Sequence, residues 1–423
     1  MLKQLNLFTL LWVTAFANLS LINLPHSTHP GGKCLDGTQA GYYYEKGRDT
    51  SIFVIFLEGG GYCNTESTCD AYKRTMHGSS NDWPKTRGLE GGFLNRKCDT
   101  NPSFCEANHV YVPYCTGDTH IGTRHEKLDE SFGLYFDGRL NFEAIIIKLI
   151  ADHGMGNAEH VLLTGASAGG IGTLLNVDWL SLKLPSANVK AVPVAGWFFP
   201  RSIEDEGSSV YIPPNDYPHF AAGSQGNDML EMVNTTSTPL WQVVPDHLCS
   251  HFEEDNPETC GIIDVMYKYI RSPIFTVQTQ FDGEQIFFAF ETPLVPMGVA
   301  EIHRVEDYIK MYGEAMRKSL QQIVDGDSIF PKPHPDGLFA SSCILHGNPP
   351  DALIDGMDFI TLAHDWFFQI NRYESRHQLI EMCSNGERSL PCNRKHLCHY
   401  LLDRSSDIPV SDSSKTTHAS HKM

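Results

Sequence analysis

Short apolar runs recur along the chain, and longer stretches with apolar residues at helical spacing lie between or after several of them. Residues 51–57, Ser-Ile-Phe-Val-Ile-Phe-Leu, form a nearly continuous run rich in β-branched and aromatic side chains. That is the pattern of a central strand covered on both faces of its sheet. Similar runs occur at 109–114, 160–164, 189–195 and 274–280, and helices are predicted over 141–152, 170–184, 305–324 and 359–370. The alternation predicts an α/β fold with a largely parallel central sheet covered by helices.

Two regions break the pattern. Residues 201–240 are rich in Pro, Gly, Ser, Asn and acidic groups, which predicts an irregular, cap-like insertion over the sheet. After Leu402 the chain is polar and carries almost no large apolar groups, so 403–423 is expected to be a disordered tail. One catalytic domain is therefore expected over 34–402, and there is no internal repeat.

Composition narrows the setting. The net charge is −19, from 51 acidic against 32 basic residues, which argues against nucleic acid or another polyanion as the main partner. The 12 cysteines are an even number spread over most of the chain, favouring disulfides and an oxidising compartment. Residues 1–17 read as a signal peptide: Lys3 is the basic residue, 5–16 the apolar stretch, and Ala15-Phe16-Ala17 a cleavage site. The apolar stretch is shorter than the roughly 20 residues that span a bilayer, and no later segment reaches that length. A secreted product without a membrane span is expected.

The chemistry centres on Gly165-Ala166-Ser167-Ala168-Gly169. A Gly-x-Ser-x-Gly pattern alone is weak, but this one leaves a predicted buried strand and enters a helical pattern, the context a nucleophilic serine on a strained turn requires. A Walker-type phosphate loop would need Lys-Ser or Lys-Thr after the glycines, whereas Gly170-Ile171-Gly172-Thr173 follows. Glu58-Gly59-Gly60-Gly61 succeeds the first central strand, where hydrolases place an amide donor for a developing oxyanion. Gly60, Gly61 and Ala168 are the candidate oxyanion hole, and Cys63 and Cys69 could close a small loop behind it. Sequence order admits several acids and bases, among them Asp264, Asp282, Asp307, His346, His364 and His377.

The segments 57–63, 79–84, 165–170 and 174–178 together resemble the pectin acetylesterase family, and especially its animal branch. The similarity runs from about Cys34 to beyond His346. Members are secreted α/β-hydrolases, and the animal branch removes a palmitoleoyl group from a serine of Wnt proteins. The resemblance nominates Asp282, in a Phe-Asp step after a late strand, as the acid, and His346, in Cys343-Ile344-Leu345-His346, as the base. With Ser167 they follow the hydrolase chain order of nucleophile, acid, base. Neither metal nor organic cofactor is needed for that triad. Resemblance and spacing also nominate Cys63–Cys69 and Cys249–Cys260 as disulfides, the other partners staying open.

The chain departs from the animal branch at two places. That branch has a tryptophan where this chain has Gly61, and two aromatics after the cysteine where this chain has Cys260-Gly261-Ile262. Those bulky groups line a lipid pocket. The expected substrate is thus an acylated, Wnt-like protein or an acylated glycan. The retained triad argues against a silent binding protein, and a peptidase or acyltransferase using the same residues stays open. Asn234-Thr235-Thr236 is a glycosylation sequon.

Overall fold

The computed structural model describes residues 18–25, 27–28, 30–88, 91–198, 240–244, 246–254, 260–261, 263–289, 299–347, 352–370 and 377–382. The proposed signal peptide, almost all of the 201–240 insertion with Asn234, the last three cysteines and the polar tail lie outside the described residues.

Among the described residues, ten strands form one sheet: β1 (Asn18–Asn23), β2 (Gly41–Glu45), β3 (Ile52–Leu57), β4 (Thr86–Gly88), β5 (Asn108–Val112), β6 (His160–Ala166), β7 (Asn188–Val194), β8 (Phe275–Val277), β9 (Gly337–Ala340) and β10 (Gln378–Ile380). Their order is β10-β9-β8-β7-β6-β3-β5-β2-β1-β4. The seven strands from β10 to β5 run parallel. The remaining three, β2, β1 and β4, continue the sheet antiparallel. The helices are α1 (Glu66–Tyr72), α2 (Gly138–His153), α3 (Ala168–Lys183), α4 (His247–Phe252), α5 (Ile263–Met266), α6 (Val299–Asp325) and α7 (Phe359–Phe367).

The apolar runs of the sequence become the centre of the sheet because alternate residues point to opposite faces. Phe53, Ile55, Leu57, Val161 and Leu163 enter one core with Ile145 and Leu149 of α2 and Leu174 and Val177 of α3. Val54, Leu162 and Val192 enter the other, with Phe359, Leu362 and Trp366 of α7. Both faces are covered, so the strands carry little polarity and read as continuous apolar runs.

Several boundaries shift for local reasons. The 109–114 run gives a strand that stops at Val112, since Pro113 has no N–H for the ladder. The 274–280 run keeps only β8 as regular strand, yet Gln278 and Gln280 still donate to Phe339 and Ser341 carbonyls, and a Phe281–Ile344 bridge extends the pairing. The 359–370 helix ends at Phe367, followed by Gln369 at φ 56°. The buried Lys190 ammonium donates to the Phe367 carbonyl at 2.6 Å and so closes that helix terminus. The antiparallel edge was not foreseen, and through β1 it carries the sheet ahead of residue 34, where the sequence reading opens the domain.

Disulfides join Cys34 to Cys115, Cys63 to Cys69, Cys98 to Cys105 and Cys249 to Cys260. Cys343 is also disulfide-bonded. Cys34 and Cys115 are 81 positions apart, whereas Cys98 and Cys105 are only 7 apart. If the bridges act by restricting the unfolded chain, the long loop contributes about 4.5 kcal/mol and the short one about 2.5 kcal/mol. We expect a Cys34→Ala/Cys115→Ala double variant to lose more stability than Cys98→Ala/Cys105→Ala in denaturant titration. Equal losses would show that the unfolded chain is not where these bridges act.

Candidate active site

β6 ends at Ala166 and α3 begins at Ala168, so Ser167 makes the whole turn between them, at φ 57° and ψ −123°. A non-glycine residue held there carries strain of order 1–3 kcal/mol. The turn is pinned by the Ser167 N–H, which donates to the Val194 carbonyl at 2.9 Å.

The flanking glycines are required by contact. A Cβ on Gly165 would stand 2.4 Å from the Gly169 carbonyl oxygen, and one on Gly169 would stand 2.1 Å from that of Leu57. The loop after β3 closes against the same turn. A Cβ on Gly59 would lie 2.4 Å from the Ala166 carbonyl oxygen and 2.9 Å from the Cβ of Ser167. Among the described residues, the backbone N–H groups of Gly60, Gly61 and Ala168 donate to no protein acceptor. Unspent donors beside a strained serine are what an oxyanion hole presents.

Glu58 ties this loop down. Its carboxylate accepts from Arg87 at 3.0 Å and from the Tyr114 N–H at 3.0 Å, and its carbonyl is 2.8 Å from the His120 Nε2. Burial pushes the His120 pKa down to about 4, so the ring is neutral and its Nε2–H is the donor. Asn176 on α3 in turn donates to the His120 carbonyl at 3.1 Å. The glycine loop is thereby fastened to the helix that Ser167 starts.

Asp282 and His346 emerge beyond β8 and β9, at the same carboxyl edge of the sheet. The His346 Nδ1 is 2.9 Å and 3.0 Å from the two Asp282 carboxylate oxygens. Asp282 is fully buried and also accepts from the Gln278 side chain and from the N–H groups of Glu284 and Gln285. A carboxylate at Nδ1 selects the tautomer protonated there, leaving a bare lone pair on Nε2. That Nε2 is shielded from solvent and has no hydrogen-bond partner among the described residues.

The segment after β7 links the two halves. A Cβ on Gly196 would lie 2.5 Å from the Gly170 backbone in the first turn of α3, while the Phe198 ring packs edge-on to His346, with centroids 6.1 Å apart. The other candidates lie elsewhere. His364 pairs with Asp365 on α7, across the sheet in the second core's layer. His377 faces the Ile370 carbonyl, Asp264 is half-buried on α5, and Asp307 falls in α6.

Sequence reasoning missed Glu58, His120, Gln278 and Glu284. Glu58 stood inside a quoted motif and Gln278 inside the 274–280 run, both without a role, and His120 and Glu284 belong to no motif. Burial pulls the His346 pKa down, but Asp282 and Glu284 outweigh it and leave the pKa above the ordinary histidine value. As the candidate base, His346 would have to be neutral to accept a proton, and turnover is then expected to rise with pH through a value above that of an ordinary histidine. We expect Glu284→Gln to move this acid limb of kcat/KM to lower pH, since one anion facing the imidazolium is gone. A limb that stays in place would show that Glu284 does not reach His346.

Known proteins similar to this chain include carboxylesterases and an acetylesterase. Human Notum, a palmitoleoyl-protein carboxylesterase, is 29% identical over 348 residues, covering 79% of this chain and 63% of its own. Pectin acetylesterase 11 of Arabidopsis thaliana is 28% identical over 365 residues, covering 82% of this chain and 86% of its own. The solved structure of the Wnt deacylase Notum from Drosophila superposes with a TM-score of 0.69 at 26% identity, covering 90% of this chain and all of that one. The fold is that of the α/β-hydrolases. This chain spans about three-fifths of the length of the Notum relatives it first matches. The pectinacetylesterase family model matches residues 14–384, and the chain belongs to the pectinacetylesterase family.

Proposed function

We propose that the chain is a serine carboxylesterase that hydrolyses an O-acyl ester carried by a protein or a glycan. The observation that carries this reading is the buried Asp282 carboxylate on Nδ1 of His346, with Nε2 bare, at the same sheet edge as the strained Ser167 turn.

In this reading the Ser167 hydroxyl oxygen attacks the ester carbonyl while His346 Nε2 takes its proton. Asp282 holds the imidazole in the useful tautomer and stabilises the imidazolium. The carbonyl oxygen becomes an oxyanion facing the N–H groups of Ala168 and the Gly60-Gly61 loop. As the tetrahedral intermediate collapses, His346 returns the proton to the departing alcohol. Water, deprotonated by the same Nε2, then attacks the acyl-serine and releases the carboxylic acid.

By likeness to the Notum relatives, the acyl group is a lipid on a secreted, Wnt-like protein. The disulfides support folding in an oxidising, extracellular route, with residues 1–17 as the signal peptide and Asn234 as a glycosylation site. No helix among the described residues is long and apolar enough to cross a membrane. One observation favours a second reading, glycan deacetylation. Gly61 offers no side chain to wall a deep lipid pocket, and the plant acetylesterase is matched over 86% of its length.

The test is hydrolysis of nitrophenyl esters from acetyl to palmitoyl by the secreted protein and by Ser167→Ala. We expect the variant to lose at least about 10⁴-fold in kcat. Equal rates would remove Ser167 from the chemistry. A wild-type optimum at medium or long chains supports lipid removal, and an optimum at acetyl supports the glycan reading.

A further inference from the structure

Tyr72 is the last residue of α1, and its hydroxyl donates to the carbonyl oxygen of Gly60. It therefore grips the glycine loop at the peptide bond between Gly60 and Gly61. That bond is planar and trans, so its C=O and N–H point in opposite directions. With the carbonyl held by Tyr72, the Gly61 N–H is turned to the other side of the peptide, where no acceptor among the described residues meets it.

The chain around this peptide cannot supply the same restraint. Gly61 sits at φ 72°, a conformation glycine adopts without steric cost and whose peptide rotates freely when nothing holds it. A Cβ on Gly61 would stand 2.5 Å from the Tyr72 hydroxyl oxygen. The hydroxyl thus occupies the space that a side chain at position 61 would fill.

Tyr72 is itself rigidly mounted. α1 is short, and the Cys63–Cys69 disulfide staples it to the end of the glycine loop. Cys63 is buried, its N–H donates to the Gly117 carbonyl, and its carbonyl accepts from the Trp241 indole at 3.2 Å. At the other end of α1, Thr65 and Thr68 form a capping box. Burial, then the charge of Glu284, push the Tyr72 pKa up to about 12, so the hydroxyl keeps its proton across the working range.

We propose that Tyr72 is a positioning residue that orients the Gly60–Gly61 peptide so that the Gly61 N–H is aimed at the oxyanion formed on Ser167. The inference rests on Ser167 acting as the nucleophile. It touches neither substrate nor the reacting atoms, so its effect falls on the step in which negative charge develops.

Tyr72→Phe keeps the ring and removes only the grip on the carbonyl. Removing an oxyanion donor outright costs about 10²–10³-fold, so a donor left in place but unaligned should cost about tenfold in kcat, with KM changed less than twofold. A trifluoromethyl ketone, which adds to the serine and places a charged oxygen in the hole, should bind about tenfold more weakly. Far-ultraviolet circular dichroism and thermal midpoint, measured alongside, separate misfolding from misalignment. Tyr72→Trp is the second variant: it refills the space with a donor that has different reach, and it should also lose affinity for the ketone.

Unchanged kcat and ketone affinity in Tyr72→Phe would overturn the inference while leaving the esterase reading intact. So would a loss confined to KM, or a loss explained by a lowered thermal midpoint. Absence of any Ser167-dependent turnover in the wild type would overturn both.

Discussion

Three backbone segments meet without room for a side chain: the end of β3 with the loop after it, the Ser167 turn, and the first turn of α3. The approaches at Gly59, Gly165 and Gly169 are all too close for a Cβ. Everything proposed for the site depends on that contact, because it forces Ser167 into its strained turn and brings the unpaired amides of the glycine loop beside it. The strain is sustained by the sheet on either side, where β3 and β6 pair over six successive positions and Ser167 is tied to β7. A rigid two-sided core is therefore the precondition for a locally unfavourable backbone.

Around this point the molecule uses polar groups sparingly and keeps them matched. Glu58 holds three segments at once through its carboxylate and carbonyl, and His120, kept neutral by burial, carries that restraint to α3. Asp282 is saturated by a glutamine amide, two backbone N–H groups and His346. That many donors offset the cost of burying the carboxylate. The polar atom left without a partner in this pair is the His346 Nε2, which is the atom the proposed chemistry needs.

The parallel core was legible because strands covered on both faces must be apolar throughout, and 51–57 and 160–164 show it. The glycine loop and the serine turn were legible because close backbone contact leaves glycine as the residue that fits. The antiparallel edge was not: Gly41–Glu45 is three tyrosines between a glycine and a glutamate, and Thr86–Gly88 is too short for any period to emerge. Asp282 and His346 lie 115 and 179 positions after Ser167, so no local pattern could join them. Family resemblance nominated them, and the pairing of β8 with β9 brings them together. Glu58, His120 and Tyr72 escaped notice because their roles are set by contacts between distant segments, which leave no spacing signal.

Among the described residues, both outer strands of the ten-stranded sheet, β4 and β10, are only three residues long. A long flat border would offer a row of open N–H and C=O groups to any extended chain that drifted past. β4 closes one border with Arg87, whose guanidinium lies over the Tyr111 ring and is paired with Glu58, and Pro84 and Lys85 precede the strand. The sheet can thus be wide enough to carry its candidate site in the middle without offering a template for its own polymerisation.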